Sequence, residues 1–193
     1  MQQIIIATNN QGKLKELKEI IKNYEIISLK DINCEIEIEE DKDTFEENAI
    51  KKAEEISKLT GKPCIADDSG LCIDALNGFP GVKTARFLGK NKTQEERNNY
   101  LMDKLNGIEK EERKAQAITC IAYVEQNGAK KVFTGKLEGY IVTTKRGNNG
   151  FGFDEIFELE NGKTLAELLP EEKNKISSRR LALNQLKEYL EGA

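Results

Sequence analysis

The first thirty residues predict a strand, a helix and a second strand in succession, and this order constrains the fold more than any other feature. The apolar run Gln3 to Ala7 is typical of a buried strand. Leucines and isoleucines at helical spacing follow in Lys13 to Lys22, and a second strand is predicted over Glu25 to Leu29. Because a β-α-β unit places two parallel strands in one sheet, the chain is predicted to be an α/β protein.

Later segments predict further helices and a hairpin. Thr44 begins a helix that ends near Gly61, and a third helix is predicted over Thr93 to Leu105. The pair Asn127-Gly128 is a strong hairpin signal between two strand-like runs. Those two runs are Gln116 to Glu125 and Lys130 to Leu137. The remaining predicted elements are a strand at Cys64 to Ala66, a short helix at Thr164 to Leu169 and a final helix at Lys173 to Leu190. A parallel start followed by an antiparallel hairpin predicts a mixed central sheet with flanking helices.

Composition excludes several classes of protein. The 193 residues carry a net charge of −4, and no basic stripe with interleaved aromatic residues is present, so nucleic acid is not an expected partner. The N-terminal segment has neither the charge pattern of a signal peptide nor the length of a membrane span, so no membrane partner is expected. There is no histidine, and the four cysteines form no Cys-x-x-Cys pair. Reduced, mostly buried cysteines in a cytoplasmic protein are therefore predicted.

Two adjacent carboxylates, Asp67 and Asp68, follow the predicted strand Cys64 to Ala66, and Ser69-Gly70 predicts a turn directly after them. Ligands of open α/β sheets bind at the carboxyl edge, where strands end. Because neighbouring acids are costly unless a positive charge neutralises them, a hard cation with oxygen ligands is expected here. Mg²⁺ is commonly held by one or two carboxylates and substrate phosphates, and Mn²⁺ accepts similar ligands. The alternative is a helix-capping aspartate beside a turn aspartate.

The junction between the first strand and the first helix suits an anion. Helix N-termini offer backbone N–H groups and a favourable dipole, a lysine adds a point charge, and a glycine lets a phosphate approach closely. The residues of this junction are Thr8, Asn9, Asn10, Gln11, Gly12 and Lys13. Ordinary capping of the helix is the alternative.

A glycine- and phenylalanine-rich segment, Gly150 to Asp154, suits a flat ring. Its glycines allow close approach to the backbone, and an aromatic face can stack on a base. A β-bulge with two core phenylalanines explains the same pattern. Lys173 and Arg179 lie in the last predicted helix, where they can contact a carbonyl or a phosphate or simply face solvent.

Taken together, these segments resemble the inosine triphosphatase family, also called HAM1-like, whose members are pyrophosphatases for noncanonical purine nucleoside triphosphates. The resemblance runs nearly from end to end. The matching segments are Thr8 to Lys13, Thr44 to Ala49, Asp67 to Leu71, Gly78 to Gly81 with Ala85-Arg86, Gly150 to Asp154, Lys163 to Leu168 and Lys173 to Arg179.

The resemblance implies a single ITPase-like domain over residues 1–193, elongated, with two lobes around a central cleft. It implies a homodimer that uses Mg²⁺ to hydrolyse ITP, dITP and XTP to the monophosphate and pyrophosphate. Such an activity removes deaminated purines from the nucleotide pool.

The resemblance also implies roles for individual residues. Asp68 is the expected catalytic carboxylate and a metal ligand, and Glu39 is the expected second metal ligand, with Glu40 as its near rival. Either Lys51 or Lys52 is expected to join the phosphate site. The expected substrate-binding residues are Thr8, Asn9, Asn10, Gln11, Gly12, Lys13, Lys52, Ser69, Phe151, Gly152, Phe153, Asp154, Lys173, Ser178 and Arg179.

The chain departs from the family pattern in three places. Ser178 stands where the family usually has histidine, Lys83-Thr84 where it has Tyr-Ser, and Glu155 where it has proline. Two alternatives to the implied activity are a nucleotide-binding regulatory protein on the same scaffold and a pyrophosphatase for other modified nucleotides. The adjacent acids at Asp67 and Asp68 favour an enzyme, because a pure binding protein has no need of two neighbouring carboxylates.

Overall fold

The computed structural model describes residues 2–36, 38–89 and 91–192. Its strands are β1 (Gln3–Ile6), β2 (Glu25–Ser28), β3 (Cys64–Ile73), β4 (Lys114–Val124), β5 (Lys130–Ile141) and β6 (Phe157–Glu158). Its α-helices are α1 (Gln11–Ile20), α2 (Phe45–Thr60), α3 (Gln94–Lys104), α4 (Pro170–Ile176) and α5 (Ser178–Gly192).

The six strands form one mixed sheet in the order β2-β1-β3-β4-β5-β6. Strand β1 pairs in parallel with β2, where Ile4 lies opposite Ile26, and in parallel with β3, where Ile6 lies opposite Ile65. Strand β6 pairs antiparallel with β5. The predicted mixed α/β sheet with flanking helices is therefore confirmed.

Local sequence signals account for the helix ends. The Thr44 side chain accepts a hydrogen bond from the Glu47 N–H, which caps α2 at its start, and Gly61 ends the helix with a φ of 65° that favours glycine. Helix α3 begins with a complete capping box between Thr93 and Glu96. The Asn127-Gly128 turn joins β4 to β5, so the predicted hairpin is also confirmed.

One predicted turn is wrong. Ser69-Gly70 does not end the strand that carries the acid pair, because β3 continues without interruption from Cys64 to Ile73. The buried Leu71 and Ile73 keep the chain extended beyond the polar residues. The short neighbour β1 ends at Ile6, opposite Ile65, so the acids lie just past the end of β1 rather than at the end of β3.

The predicted final helix is two helices. Pro170 occupies the first turn of α4, where its missing N–H has no intrahelical role. Ser177 separates α4 from α5 with an extended backbone, and its hydroxyl accepts a hydrogen bond from the Arg180 N–H. The segment predicted as a short helix at Thr164 to Leu169 contains a single 3-10 turn, Leu165–Glu167.

The chain forms two compact units, each with its own hydrophobic core. One comprises Met1–Ser69, Thr119–Gly135 and Leu181–Ala193, and the other comprises Gly70–Ile118 and Lys136–Arg180. Buried core residues of the first unit include Ile4, Leu17, Ile65, Ile121 and Leu186, and those of the second include Leu71, Leu101, Ile141, Ile156 and Phe157. The cleft implied by the family resemblance stays a prediction.

Two further sequence expectations concern thiols and membranes. The four cysteines are free thiols, as predicted, with Cys64 and Cys120 buried and Cys34 and Cys72 partly buried. Burial raises the pKa of the Cys64 thiol well above its ordinary value. None of the helices within the described ranges is long and apolar enough to cross a membrane.

A buried arginine joins three segments of the second unit. Arg113 is 2% exposed, and its guanidinium donates to the carbonyls of Leu105 at 2.8 Å, Ile141 at 2.6 Å and Val142 at 2.6 Å. These contacts connect the end of α3 and the end of β5 to the residue that precedes β4. Burial lowers the pKa of Arg113 by desolvation, but the planar fork of a guanidinium suits several fixed acceptors at once.

We expect Arg113→Ala to lower the free energy of unfolding by about 3 kcal/mol or more, since each buried acceptor left without a donor costs about 1–3 kcal/mol. Arg113→Lys keeps the charge but cannot reach all three carbonyls, so a smaller loss is expected. Urea unfolding measures both. The neighbouring Lys114 is exposed, and Lys114→Ala should change stability by less than about 0.5 kcal/mol.

Candidate active site

The acid pair of β3 is divided between two helices. Asp67 and Asp68 are each 7% exposed. Because successive side chains of a strand point to opposite faces, the two carboxylates do not share one environment. Asp67 contacts Lys13 of α1, and Asp68 contacts Asn48 of α2. The expected clash between neighbouring acids is thus relieved by the alternation of the strand.

Lys13 lies in the first turn of α1, directly after the junction that follows β1. Its ammonium group lies 2.8 Å from the Asp67 carboxylate, which neutralises that buried acid. Asn10 caps the helix, since its side-chain oxygen accepts from the N–H groups of Gly12 and Lys13 at 2.9 and 3.2 Å. Thr8 in turn accepts from the Asn10 N–H at 3.2 Å. The sequence analysis gave helix capping and an anion site as alternatives for this junction. The structure shows the capping, and it also places the charge of Lys13 in the same junction.

The other cation beside the acid pair is Lys52. Its ammonium donates to the backbone carbonyl of Asp67 and to the Glu40 carboxylate, which lies 2.6 Å away. Asn48 and Lys52 are four residues apart in α2 and therefore share one face of the helix. The side chain of Asn48 is fully buried and donates to Asp68 at 3.0 Å while it accepts from the Lys42 N–H at 3.0 Å.

The surroundings of Asp68 raise its pKa on balance. Burial raises the pKa of Asp68 above its ordinary value, and the negative charge of Glu40 adds to this. Lys52, the hydrogen bond from Asn48 and the Ser69 N–H act in the opposite direction and lower that pKa. A carboxylate whose pKa is moved toward neutrality is a more effective proton acceptor for catalysis.

The structure places Glu39 and Glu40 differently. Glu40 is half-buried and interacts with both Lys52 and Asp68. The side chain of Glu39 is exposed, and its backbone carbonyl accepts from the Lys51 ammonium at 2.9 Å. Lys51 also pairs with Asp41 at 2.9 Å. Of the two glutamates and the two lysines left open by the sequence, Glu40 and Lys52 are therefore the ones beside the acid pair.

A second cluster of predicted site residues lies in the other unit. We call the segment Gly150–Asp154 the 150–154 turn. The Asp154 carboxylate accepts from the Phe151 N–H at 2.7 Å, and Gly150 has a φ of 81°. A Cβ atom on Gly150 would lie 2.0 Å from the Asp154 Oδ2, so glycine is required for this close approach.

Phe151 and Phe153 have different roles within the 150–154 turn. Phe151 is 82% exposed, and the Lys173 ammonium lies 4.1 Å from its ring centre while also pairing with Asp154. Phe153 is partly buried in the second core and stacks on Phe87 with ring centres 6.4 Å apart. An exposed aromatic ring beside a cation is a suitable surface for a flat base.

The remaining predicted residues lie close along the chain at the start of α5. Ser178 is buried, and Arg179 is partly buried. A depression of about 370 Å³ adjoins the 150–154 turn, but Lys173, Ser178 and Arg179 do not line it. Its walls are formed by Gln94, Glu95, Gly147, Asn148, Asn149, Gly150, Phe151, Gly152, Asp154, Glu155 and Ala166.

Comparison with known proteins identifies the family to which these two clusters belong. The sequence model of the Ham1 family matches residues 4–189, which is nearly the whole chain. The chain belongs to the Ham1 family. The resemblance stated from the motifs is therefore confirmed.

Individual relatives match over nearly their full length. A dITP/XTP pyrophosphatase of Thermoanaerobacter sp. (strain X514) is 48% identical over 190 residues, which cover 97% of this chain and 96% of the relative. One from Bacillus subtilis (strain 168) is 47% identical and covers 99% and 98%. Among solved structures, the Staphylococcus aureus Ham1 protein superposes with a TM-score of 0.94 at 43% identity, with 99% of both chains covered.

For this Ham1 family member, Asn48 is a site residue that lies in the matching segment Thr44 to Ala49 but received no role from the sequence analysis. The signal was present, since Asn48 lies three residues after Phe45 and on the stripe that continues to Ile56, where an apolar side chain is expected. A buried asparagine on an apolar stripe needs polar partners, and Asp68 is one of them.

The hydrogen bond from Asn48 gives a test of the local electrostatics. Asn48→Ala removes a contact that lowers the pKa of Asp68, so the pKa of Asp68, already raised by burial, should rise further. The carboxylate would then take up its proton at a higher pH than in the wild type. Carbon-13 NMR titration of metal-free protein labelled at aspartate carboxyls measures this. Asn106→Ala, at an exposed asparagine, should leave the Asp68 titration unchanged.

Proposed function

We propose that this chain hydrolyses noncanonical purine nucleoside triphosphates, namely ITP, dITP and XTP, to the monophosphate and pyrophosphate. The observation that carries the proposal is the cluster around the acid pair of β3, where Lys13 neutralises Asp67 and the buried carboxylate of Asp68 lies within the influence of the cation Lys52 and the acid Glu40. The full-length relatives named dITP/XTP pyrophosphatase support the choice of substrate.

The lysines of this cluster suit a triphosphate. Lys13 of α1 and Lys52 of α2 present ammonium groups to this cluster. Lys13 pairs with Asp67, and Lys52 pairs with Glu40. Phosphate oxygens accept charge-assisted hydrogen bonds from such groups. The predicted junction residues Thr8, Asn9, Gln11 and Gly12, together with Ser69, complete the proposed phosphate site.

The donor set also fits Mg²⁺. No group of three or more histidine, cysteine, aspartate or glutamate side chains occurs among residues 2–36, 38–89 and 91–192 in a geometry suited to a metal. Mg²⁺ does not require one, because one or two carboxylates and substrate phosphates commonly suffice. Asp68 and Glu40 would hold the ion, with Mn²⁺ as a substitute, and Glu40 takes the place of the expected Glu39 because its side chain is the one near Asp68. When bound, the ion supplies positive charge that neutralises the phosphates.

In the proposed reaction Asp68 is the general base. A water oxygen forms a bond to the α-phosphorus, its proton passes to the Asp68 carboxylate, and the bond from the α-phosphorus to the bridging oxygen breaks to release pyrophosphate. Asn48 and the Ser69 N–H hold the two carboxylate oxygens of Asp68 at 3.0 and 2.9 Å, which orients the base. Lys13 and Lys52 stabilise charge on the phosphate oxygens, which is the main source of catalysis in phosphoryl transfer.

We propose that the 150–154 turn binds the base. Phe151 supplies an exposed ring, and Lys173 supplies a donor beside it. Hypoxanthine and xanthine present an oxygen acceptor at position 6, whereas adenine presents an amino donor there. Cationic donors such as Lys173 and Arg179, with Ser178, favour the oxygen, and a site built on hydrogen bonds can reject an analogue that lacks the partner by about 10⁴-fold.

We further infer a cytoplasmic homodimer that binds neither nucleic acid nor membrane. The free thiols at all four cysteines support a reducing compartment. The dimer is an implication of the family resemblance, and sedimentation of the pure protein tests it.

The test of the proposed function is pyrophosphate release from a panel of nucleoside triphosphates. With Mg²⁺ present, ITP, dITP and XTP should release pyrophosphate much faster than ATP or GTP. Excess EDTA should stop the reaction, and Mn²⁺ should restore part of it. The rate of Asp68→Asn should be below about a tenth of the wild-type rate, because loss of a general base costs about 10²–10⁴-fold.

Other outcomes select the alternatives. Binding of a nucleotide without pyrophosphate release would support a regulatory binding protein. Faster release from a modified pyrimidine or a methylated guanine nucleotide would identify a related pyrophosphatase. Full activity of Asp68→Asn would remove Asp68 from the role of base while leaving the enzyme class intact.

Lys13→Ala should weaken triphosphate binding. A hydrogen bond to a charged group contributes about 1.5–3 kcal/mol, so the KM for ITP should rise by roughly 10- to 150-fold. Steady-state kinetics with ITP at fixed Mg²⁺ measures the change. Lys15, on the same helix, is 79% exposed, and Lys15→Ala should leave the KM unchanged. A normal KM for Lys13→Ala would place Lys13 outside the phosphate site.

A further inference from the structure

A buried asparagine of α3 holds the 150–154 turn. Asn98 is 1% exposed, and its amide nitrogen donates to the Gly152 carbonyl at 3.1 Å and to the Glu155 carboxylate at 2.8 Å. Both hydrogens of the amide nitrogen therefore have acceptors. No motif of the sequence singled out Asn98, and it belongs to neither cluster assigned above.

The orientation of this amide is determined by its neighbours. Gln94, one helical turn earlier, donates to the Asn98 side-chain oxygen at 2.9 Å. The Gly152 carbonyl and the Glu155 carboxylate are acceptors only, so the nitrogen of Asn98 must face them. All the polar atoms of the buried side chain are thus used, as is usual for a buried amide.

Asn98 contacts the turn at the peptide between its two phenylalanines. Gly152 has a φ of 68°, and it separates the exposed Phe151 from Phe153, which is packed against Phe87. The Ala166 N–H holds the turn at a second point, since it donates to the Asp154 carbonyl at 3.0 Å. Asn98 is therefore the contact from α3 that positions the backbone next to the proposed base-stacking ring.

Glu155 supplies the second acceptor of this arrangement. The family usually has proline at this position, and a proline side chain cannot accept a hydrogen bond. Here the Glu155 carboxylate accepts from Asn98 and lies 3.6 Å from the Lys145 ammonium. The departure from the family pattern thus adds a second hydrogen bond between α3 and the 150–154 turn.

We infer that Asn98 and Glu155 are positioning residues for base recognition, acting through the 150–154 turn rather than touching the substrate's phosphates. The inference rests on the proposed function, since it assigns the turn to the base. Its consequence is that weakening the contact should impair binding of the purine while leaving binding of the phosphates intact.

The test compares ITP with inorganic tripolyphosphate, which carries the phosphates and no base. In Asn98→Ala the KM for ITP should rise about tenfold, which corresponds to roughly 1.4 kcal/mol. The kcat should stay within about twofold, and the inhibition constant of tripolyphosphate should stay at the wild-type value. Asn99→Ala, at the exposed neighbouring position of α3, should change none of these quantities.

Reversal of the hydrogen bond separates positioning from general damage. Asn98→Asp places a carboxylate against Glu155 and should raise the KM for ITP more than Asn98→Ala does. Glu155→Gln alone should have a small effect. The double variant N98D/E155Q exchanges donor and acceptor across the contact. Its KM for ITP should be at least threefold lower than that of Asn98→Asp.

The possible results are distinct. Absence of pyrophosphate release by the wild type would overturn the proposed function itself. An active wild type with an unchanged KM in Asn98→Ala, or an equal rise in the KM for ITP and the inhibition constant for tripolyphosphate, would overturn only the inference. Failure of N98D/E155Q to recover any affinity, with thermal melting showing a folded protein, would exclude Glu155 as a positioning partner.

Discussion

The first unit depends on the partners of two buried carboxylates in one strand, a cation for Asp67 and a hydrogen-bond donor for Asp68. Asp67 and Asp68 are consecutive in β3, so they face opposite sides of the sheet, and each needs its own partner. Helix α1 supplies Lys13 to one, and helix α2 supplies Asn48 to the other. An ionised carboxylate buried without such partners would shift its pKa and take up a proton. The two acids can therefore be buried in β3 only if α1 and α2 are placed where Lys13 and Asn48 reach them.

The same cations connect stability to the proposed reaction. Lys13 and Lys52 neutralise Asp67 and Glu40 when no substrate is bound, and they are also the groups that a triphosphate would attract. A phosphate that binds these lysines would leave Asp67 and Glu40 less neutralised. The affinity of Glu40, one of the two carboxylates proposed to hold Mg²⁺, for a divalent cation should then increase. Linkage requires the converse, so a bound cation should strengthen triphosphate binding by the same factor.

Local signals predicted the elements that depend on local interactions. The capping threonines at Thr44 and Thr93, the hairpin at Asn127-Gly128 and the spacing of α1 placed their elements within a few residues. The turn expected at Ser69-Gly70 was wrong because the strand is maintained by burial of residues beyond it, which depends on the rest of the fold. Strand β6 has two residues and exists only through its pairing with β5, so no local pattern predicts it.

The site shows the same division between local and distant contacts. Asp68, Lys13 and the 150–154 turn were proposed as site residues because each lies in a short motif, whereas the hydrogen bonds of Asn48 to Asp68 and of Asn98 to Glu155 join residues that are distant in the chain. Asn98 and Glu155 are 57 residues apart, and only the structure shows that they form a hydrogen bond. A departure from a family motif therefore has no fixed meaning by itself. Glu155 in place of proline removes a rigid residue but supplies an acceptor for a buried donor, so its effect is determined by α3 and not by the motif in which it stands.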